Sequence, residues 1–314
     1  MSLIAEDSAS RAIKELACRV AATDATVLIC GESGVGKEIY ARYIHRQSRR
    51  AEGPFVAVNC AAIPENMLEA MLFGYEKGAF TGAINSHAGK FEQAQGGTLL
   101  LDEISEMDIG LQAKLLRILQ EKEIERLGSR RSIKLDVRVL ATSNRDLRQA
   151  VNEGDFREDL FYRLNVFPLC LPPLRERRDD ILPLARHFLQ RDETVSDVSH
   201  MLTPAAADKL LAYHWPGNVR ELDNVIQRAL ILRGQPRIDE VDIQFEQGMQ
   251  LFSPPVSTDA APLEGFMRDQ ESQRIQAALR QGRSKKEAAE ILGISPRTLR
   301  YKLARMRQQS CLPG

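Results

Sequence analysis

Short apolar runs rich in β-branched residues alternate along this chain with stretches whose apolar positions recur every three or four residues, which predicts strands and helices in turn. Thr26-Val27-Leu28-Ile29-Cys30 is the first run; three glycines in six positions follow it, then Glu38-Ile39-Tyr40-Ala41-Arg42-Tyr43-Ile44 with helical spacing. Phe55-Val56-Ala57-Val58 and Leu135 to Thr142 read as further strands. Gly97-Thr98-Leu99-Leu100-Leu101 is apolar without interruption, as a parallel strand covered on both faces must be. After the Pro-rich Leu171-Pro172-Pro173-Leu174 only helical patterns remain up to about residue 245. Gln247 to Pro262, containing Ser253-Pro254-Pro255-Val256-Ser257-Thr258, reads as a flexible linker. The expected organisation is an α/β core over 1–174, a small helical lid over 175–246, a linker over 247–262 and an all-α domain over 263–314.

The strand, glycine-rich turn and helix from Thr26 to Ile44 are the context that a phosphate-cradling loop requires. In Gly31-Glu32-Ser33-Gly34-Val35-Gly36-Lys37-Glu38 the glycines free backbone N–H groups to face phosphate oxygens. The helix N-terminus adds partial positive charge, and Lys37 can reach the outer phosphates. Glu38 stands where a Ser or Thr hydroxyl usually meets Mg²⁺, so other groups and water must hold the metal. Gly97 to Leu101 ends in Asp102-Glu103, two carboxylates at the C-terminal edge of a buried strand, where α/β sheets bind ligands. On their own these residues point to a nucleotide, with Mg²⁺ at its phosphates.

Gly78-Ala79-Phe80-Thr81-Gly82-Ala83 lies in a glycine-rich stretch periodic in neither mode, which reads as a loop. Together with the phosphate loop, these six residues resemble the GAFTGA loop of the sigma-54-dependent bacterial transcription activators, which are AAA+ P-loop ATPases. The resemblance implies a parallel sheet flanked by helices, a helical lid, and contact between residues 78–83 and sigma-54 RNA polymerase. It implies that Asp102 binds Mg²⁺ through water, Glu103 polarises the attacking water, and Asn59 is the switch residue that restrains Glu103. Ser143-Asn144 matches the segment that senses the γ phosphate, with Thr142 one residue earlier; which hydroxyl faces the nucleotide stays open. Arg157 and Arg163 match trans-acting fingers, six residues apart and on nearly opposed faces of an ideal helix, and Arg220 in Trp215-Pro216-Gly217-Asn218-Val219-Arg220 matches the lid arginine that reaches the nucleotide. A second loop over Glu123 to Arg131 is expected to support the first. The family works as a ring of six or seven subunits. Its N-terminal regulatory domain is not matched, since the ATPase begins within the first few residues. Gly31 to Ala41 and Ile294 to Met306 look most like the flagellar two-component activators, whose phosphoreceiver answers to a sensor kinase.

Charge and composition complete the expectation. The 314 residues carry no net charge, but Arg283 to Arg307 holds eight Lys or Arg against Glu287 and Glu290, a segment charge of +6. Within it Lys285 to Leu292 is helical, Gly293-Ile294 turns, and Ser295 with Pro296 opens a second helix. This is a helix-turn-helix of the Fis type by resemblance, presenting Arg297, Thr298, Arg300, Tyr301 and Lys302 to enhancer DNA. Phe266 to Leu279 is the expected dimerisation helix. Five cysteines without metal spacing read as reduced thiols, and neither a signal peptide nor a membrane-length apolar run is found, so a cytoplasmic protein without a membrane partner is expected. Two rival readings are a DNA-binding regulator with a degenerate ATPase and an AAA+ motor acting on DNA or unfolding proteins. The intact Lys37, Asp102, Glu103 and Gly78 to Ala83 speak against the first, and a pore loop in place of this one would mark the second.

Overall fold

A computed structural model describes residues 3–191 and 201–245. Along the chain run α1 (Ser8–Ala21), β1 (Val27–Cys30), α2 (Lys37–Arg46), β2 (Phe55–Asn59), α3 (Glu65–Phe73), β3 (Gly74–Tyr75), β4 (His87–Ala88), α4 (Lys90–Gln93) and β5 (Thr98–Asp102). Then come α5 (Ile109–Glu121), β6 (Glu123–Glu125), β7 (Ser132–Lys134), β8 (Arg138–Ser143), α6 (Leu147–Glu153), α7 (Glu158–Leu164) and β9 (Phe167–Cys170). The helical end is α8 (Ile181–Leu189), α9 (Pro204–Ala212) and α10 (Asn218–Leu232).

Five strands form one parallel sheet in the order β2-β5-β8-β1-β9. Period-two alternation divides its side chains between two cores: Leu28, Leu99, Leu101 and Ala141 pack with α3, α5 and α7, while Val27, Ile29, Leu100 and Leu140 pack with α1 and α2. That is why β5 is apolar throughout. A third core, from Leu174 to Ile243, belongs to the helical end and surrounds the fully buried Trp215, whose indole N–H donates to the Leu210 carbonyl at 2.9 Å.

Four of the helices start at side-chain caps. Asp7, Asp108, Asp146 and Thr203 each accept an N–H from the first turn of α1, α5, α6 and α9, the last with Pro204 at its first position. The strand expected from Leu135 begins three residues later, at Arg138. Leu135 instead donates its N–H to Lys122 beside the β6–β7 hairpin, and the Asp136 carbonyl accepts from Gly96 ahead of β5, so the chain passes from hairpin to sheet between these two residues. Arg138 is buried, and its guanidinium donates to the Val20 and Ala21 carbonyls at the end of α1. The segment expected to be loop also has more structure than its pattern suggested: Gly74 pairs with Ala88 and Tyr75 with His87 in a short antiparallel ladder that carries residues 76–86 as its tip. Two pairs are too few to leave a periodic signature.

Leu100 is fully buried at the centre of the sheet. Leu100→Ala should destabilise the core by about 2–5 kcal/mol, read as a shift in the urea midpoint by circular dichroism.

Candidate nucleotide site

Three strand ends and the phosphate loop meet at one edge of the sheet. The register pairs Asn59 with Asp102, and Leu101 with Ala141, so Asn59, Asp102 and Thr142 stand side by side. Thr142 Oγ1 donates to Asp102 Oδ1 at 2.6 Å and accepts the Glu103 N–H at 2.9 Å. Asn59 Nδ2 donates to Asp102 Oδ2 at 3.3 Å, while Asn59 Oδ1 accepts the N–H groups of Ala61 and Ala62. Glu103 leaves the strand in the left-handed region, φ 53°, an unusual conformation for a residue with a side chain. Its carboxylate lies 3.4 Å from Lys37 Nζ and accepts the Asn144 N–H at 3.1 Å.

The hydrogen bonds distinguish Thr142 from Ser143 and locate Asn59. Thr142 is the hydroxyl facing the acidic pair; Ser143 Oγ turns back to the backbone of Arg145. Asn59, expected on Glu103, is bonded to Asp102, because the register places it beside Asp102 while the turn at Glu103 carries that carboxylate toward Lys37. Asn144 reaches Glu103 through its backbone N–H.

Lys37 opens α2 and is only 6% exposed, with Nζ donating to the Gly31 carbonyl at 2.9 Å and to Glu32 at 3.3 Å. Gly36 is the N-cap, φ 103°, and offers no side-chain cap, so the first N–H groups of α2 are free to bind an anion. Glu38 pairs with Arg42 one turn along α2 and also lines the cleft that holds Asp102 and Glu103.

The lid docks directly on this loop. Arg220 Nη1 donates to Ser33 Oγ at 3.0 Å and its backbone N–H to Gly34 at 3.3 Å. Arg175 grips Glu32 with two hydrogen bonds, 2.6 and 2.9 Å, and together with Asn218 holds that carboxyl down at about 2. Asn218, buried and at φ 53°, donates to Glu32 and to the Ser33 carbonyl and accepts the Leu174 N–H. Sequence reasoning missed Arg175 and Asn218; the signal was an Asn after Trp-Pro-Gly, a residue type that tolerates the left-handed region. Gly34, φ 78°, permits the contact, since a Cβ there would lie 2.4 Å from the Gly217 carbonyl.

Between loop and lid lies a cleft of about 470 Å³, within the range of small-molecule sites. Its lining includes Lys37, Asp102, Glu103 and Arg220, and an apolar group of Leu3, Ile4, Leu184, Phe188 and Val219 with His187, Arg191 and Asp223 among the same walls. The wall formed by Leu3 and Ile4 had no sequence signal. Arg157 and Arg163 are not among the lining residues. Arg157 precedes α7 and pairs with Asp159, and Arg163 donates to the Leu119 carbonyl at the end of α5.

The Gly78 to Ala83 tip is closed by hydrogen bonds from Gly78 to Ala83 and from Ala83 to Phe80. Phe80 is 46% exposed and rests one edge on Tyr75. The second loop backs it: Glu76 and Gly74 bond to Leu127, and Arg126 pairs with Glu76 and Glu92. Arg297, Thr298, Arg300, Tyr301 and Lys302 lie outside the described residues. Cys18, Cys30, Cys60 and Cys170 are free thiols, and burial pushes Cys30 up to about 11 and Cys60 to about 12.

Sequence comparison agrees with this geometry. The profile of the Sigma-54 interaction domain matches residues 3–170, that of an AAA+ ATPase lid domain 175–253, and that of the Fis family of bacterial regulatory proteins 266–306. The chain belongs to the sigma-54-dependent transcription activators. It is similar to the response regulator protein FleR of Pseudomonas aeruginosa, 56% identical over 97% of this chain and 70% of that one. It also resembles the transcriptional regulatory protein FlbD of Caulobacter vibrioides, at 49% identity over 96% and 69%. The crystal structure of NtrX from Brucella abortus in complex with ATP covers 97% of this chain and 69% of its own, with TM-score 0.71 and 35% identity. The activator therefore couples an ATP-binding AAA+ ATPase fold to a Fis-type DNA-binding domain.

Because Gly34 has no room for a side chain, Gly34→Ala should push the lid off the loop. Affinity for a fluorescent ATP analogue should fall by ~10-fold or more, corresponding to the 1–3 kcal/mol typical of overpacking. Unchanged affinity would show that lid docking is not needed for binding.

Proposed function

We propose that this activator binds enhancer DNA, assembles into a ring of six or seven subunits, and uses ATP hydrolysis to remodel sigma-54 polymerase so that promoter DNA opens. Its gene targets would be flagellar, on the resemblance of residues 31–41 and 294–306 to the flagellar two-component activators, and it acts in the cytoplasm; among the described residues no helix is long and apolar enough to cross a membrane. A sensor kinase would act through a receiver domain outside this chain.

The chemistry assigned to the cleft follows from what each group can do. Gly31 to Glu38 and the start of α2 cradle the phosphates, and Lys37 neutralises their charge. Asp102 and Glu103, next to Lys37, suit Mg²⁺ bound largely through water and phosphate oxygens, the coordination that this ion prefers with few protein carboxylates. Asp102 would hold it, with Thr142 and Asn59 orienting the carboxylate; the ion supplies charge neutralisation at the phosphates. Glu103, held by Asn144 on one side and Lys37 on the other, orients the attacking water. Arg220 reads the phosphates from the lid. Arg157 and Arg163 act on the ATP of a neighbouring subunit, a role that agrees with their standing outside their own chain's cleft. Such a finger contributes about 10³ to 10⁵ in rate.

The observation that carries the functional reading is the hairpin tip: a half-exposed phenylalanine between glycines, raised on β3 and β4 and braced by a second loop. A phenylalanine ordinarily packs inside, so a surface position that still offers apolar area suits a partner protein. Asn59 links this device to the acids, since the chain runs from that residue into α3 and so to Gly74.

Two experiments test the proposal. Mixing Arg163→Ala with Lys37→Ala subunits should restore hydrolysis at interfaces that pair an intact cleft with an intact finger. No recovery at any ratio, in rings shown to be mixed, would place that arginine in cis. Phe80→Ala should leave ATP hydrolysis largely intact, yet abolish both capture of sigma-54 with an ATP transition-state analogue and open-complex formation. A Phe80→Ala protein that opens a sigma-54 promoter at the normal rate would overturn the assignment of the tip.

A further inference from the structure

A buried carboxylate of the lid holds the first turns of the described chain. Asp180 is fully buried; its Oδ1 accepts the Glu6 N–H at 2.6 Å and the Asp7 N–H at 2.9 Å, and its Oδ2 accepts the hydroxyl of Ser10. Arg177, also buried, lies 3.9 Å from the same carboxylate and donates through Nη2 to the Val35 carbonyl of the phosphate loop at 2.6 Å. Two residues of one short lid segment thus grip both the start of the chain and the middle of the phosphate loop. No step of the proposed hydrolysis uses either of them.

The location gives this network its consequence. Leu3 and Ile4, just before the gripped residues, line the same cleft as Leu184 and Phe188 of α8 and Val219 of α10. With the phosphates assigned to Lys37 and the start of α2, these apolar lining residues are the ones left to receive the base. Leu3 is buried, and Lys14 Nζ donates to its carbonyl, which leaves the short stretch from Leu3 to Asp7 pinned at both ends.

We infer that Asp180 is a positioning residue for the nucleotide base: it ties the Leu3–Ile4 wall to the lid, so that wall, lid and phosphate loop close on ATP as one body. A buried carboxylate is tolerated only while its partners are present. If residues 6–10 moved away, Asp180 would be left with a distant arginine and no donor from the chain start. The wall therefore cannot open while the lid stays put. Displacing Glu6 to Ser10 should loosen the base end first and leave the groups around Lys37 and Glu103 in place. The inference rests on the assignment of the cleft to ATP.

The test compares ATP and GTP, which share phosphates and differ at the base edge, in the full chain under conditions of ring assembly. Asp180→Asn keeps the shape and removes the charge; Ser10→Ala removes one donor without touching the lid. Asp180→Asn should raise KM for ATP about tenfold while kcat changes no more than about twofold, the pattern of lost binding shared by ground and transition states. The preference for ATP over GTP should narrow, and Ser10→Ala should move both readouts in the same direction by less. Emission from Trp215, the single tryptophan, reports whether the lid core is intact. A folded Asp180→Asn protein with unchanged KM and base preference, or with a loss confined to kcat, would overturn the inference. If Asp180→Asn disrupts the Trp215 environment, Ser10→Ala decides by the same criterion. Failure of the unmutated chain to bind ATP would instead remove the assignment of the cleft.

Discussion

The parallel register of β2, β5 and β8 is the constraint on which the site depends. It sets Asn59, Asp102 and Thr142 in one row, and every hydrogen bond among the three follows from that alignment. A slip of one residue would turn the polar side chain of the shifted strand to the opposite face and its apolar neighbours away from their core. Leu99, Leu100 and Leu101 hold the register because they are buried on both faces in alternation. The hydrophobic sorting that stabilises the sheet is therefore also what aims the acids. Asp102 keeps both oxygens engaged, and only Glu103, one residue past the strand, is free to turn toward Lys37.

Backbone strain is concentrated at the same place. Among the described residues four that are not glycine have positive φ, and three of them, Glu103, Trp215 and Asn218, belong to the cleft or to the turn that docks the lid on it. Each is held by its surroundings: Glu103 by Thr142 and Asn144, Trp215 by the lid core, Asn218 by Glu32, Ser33 and Leu174. Such conformations persist only where packing and hydrogen bonds determine them. The turn before α10 is thus a pre-formed cradle for the phosphate loop, and the contact between Gly34 and Gly217 fixes how closely the two halves approach.

What could be read from the chain, and what could not, divides along sequence separation. The phosphate loop and the acid-tipped strand were legible because each is a local pattern, complete within about ten residues. The hydroxyl that faces Asp102 was not, because Thr142 and Ser143 differ only in which face of β8 they occupy. That Asn59 stands against Asp102 and not Glu103 was not legible for a related reason: the direction of Glu103 depends on its own φ, which no pattern encodes. The wall of Leu3 and Ile4 and the Asp180 network had no signature at all, since the partners of Asp180 lie 170 to 174 positions away. Arg138, charged at the start of a strand, is buried because two helix-end carbonyls lie within its reach, partners more than a hundred positions away.

On the proposed function, work must pass from the acids to the hairpin tip, and the fold restricts the route. The tip does not touch the cleft. It is joined to the sheet through α3, whose nine residues make a rod of about 13 Å, from the end of β2 to Gly74. At one end of that path Asn59 binds Asp102; at the other, Gly74 and Glu76 are bonded to the second loop, and Arg126 binds Glu76 to Glu92 of α4. Within residues 78–83 the backbone bonds are local, closing the turn on itself. A displacement that starts at Asn59 would therefore move the tip as a unit on its braced stem. The glycines at 78 and 82 have no side chain and open space around them, which lets the turn pivot without a clash. Stiffness along α3 and freedom at the tip are both needed if a change of charge at the phosphates is to become force on a partner.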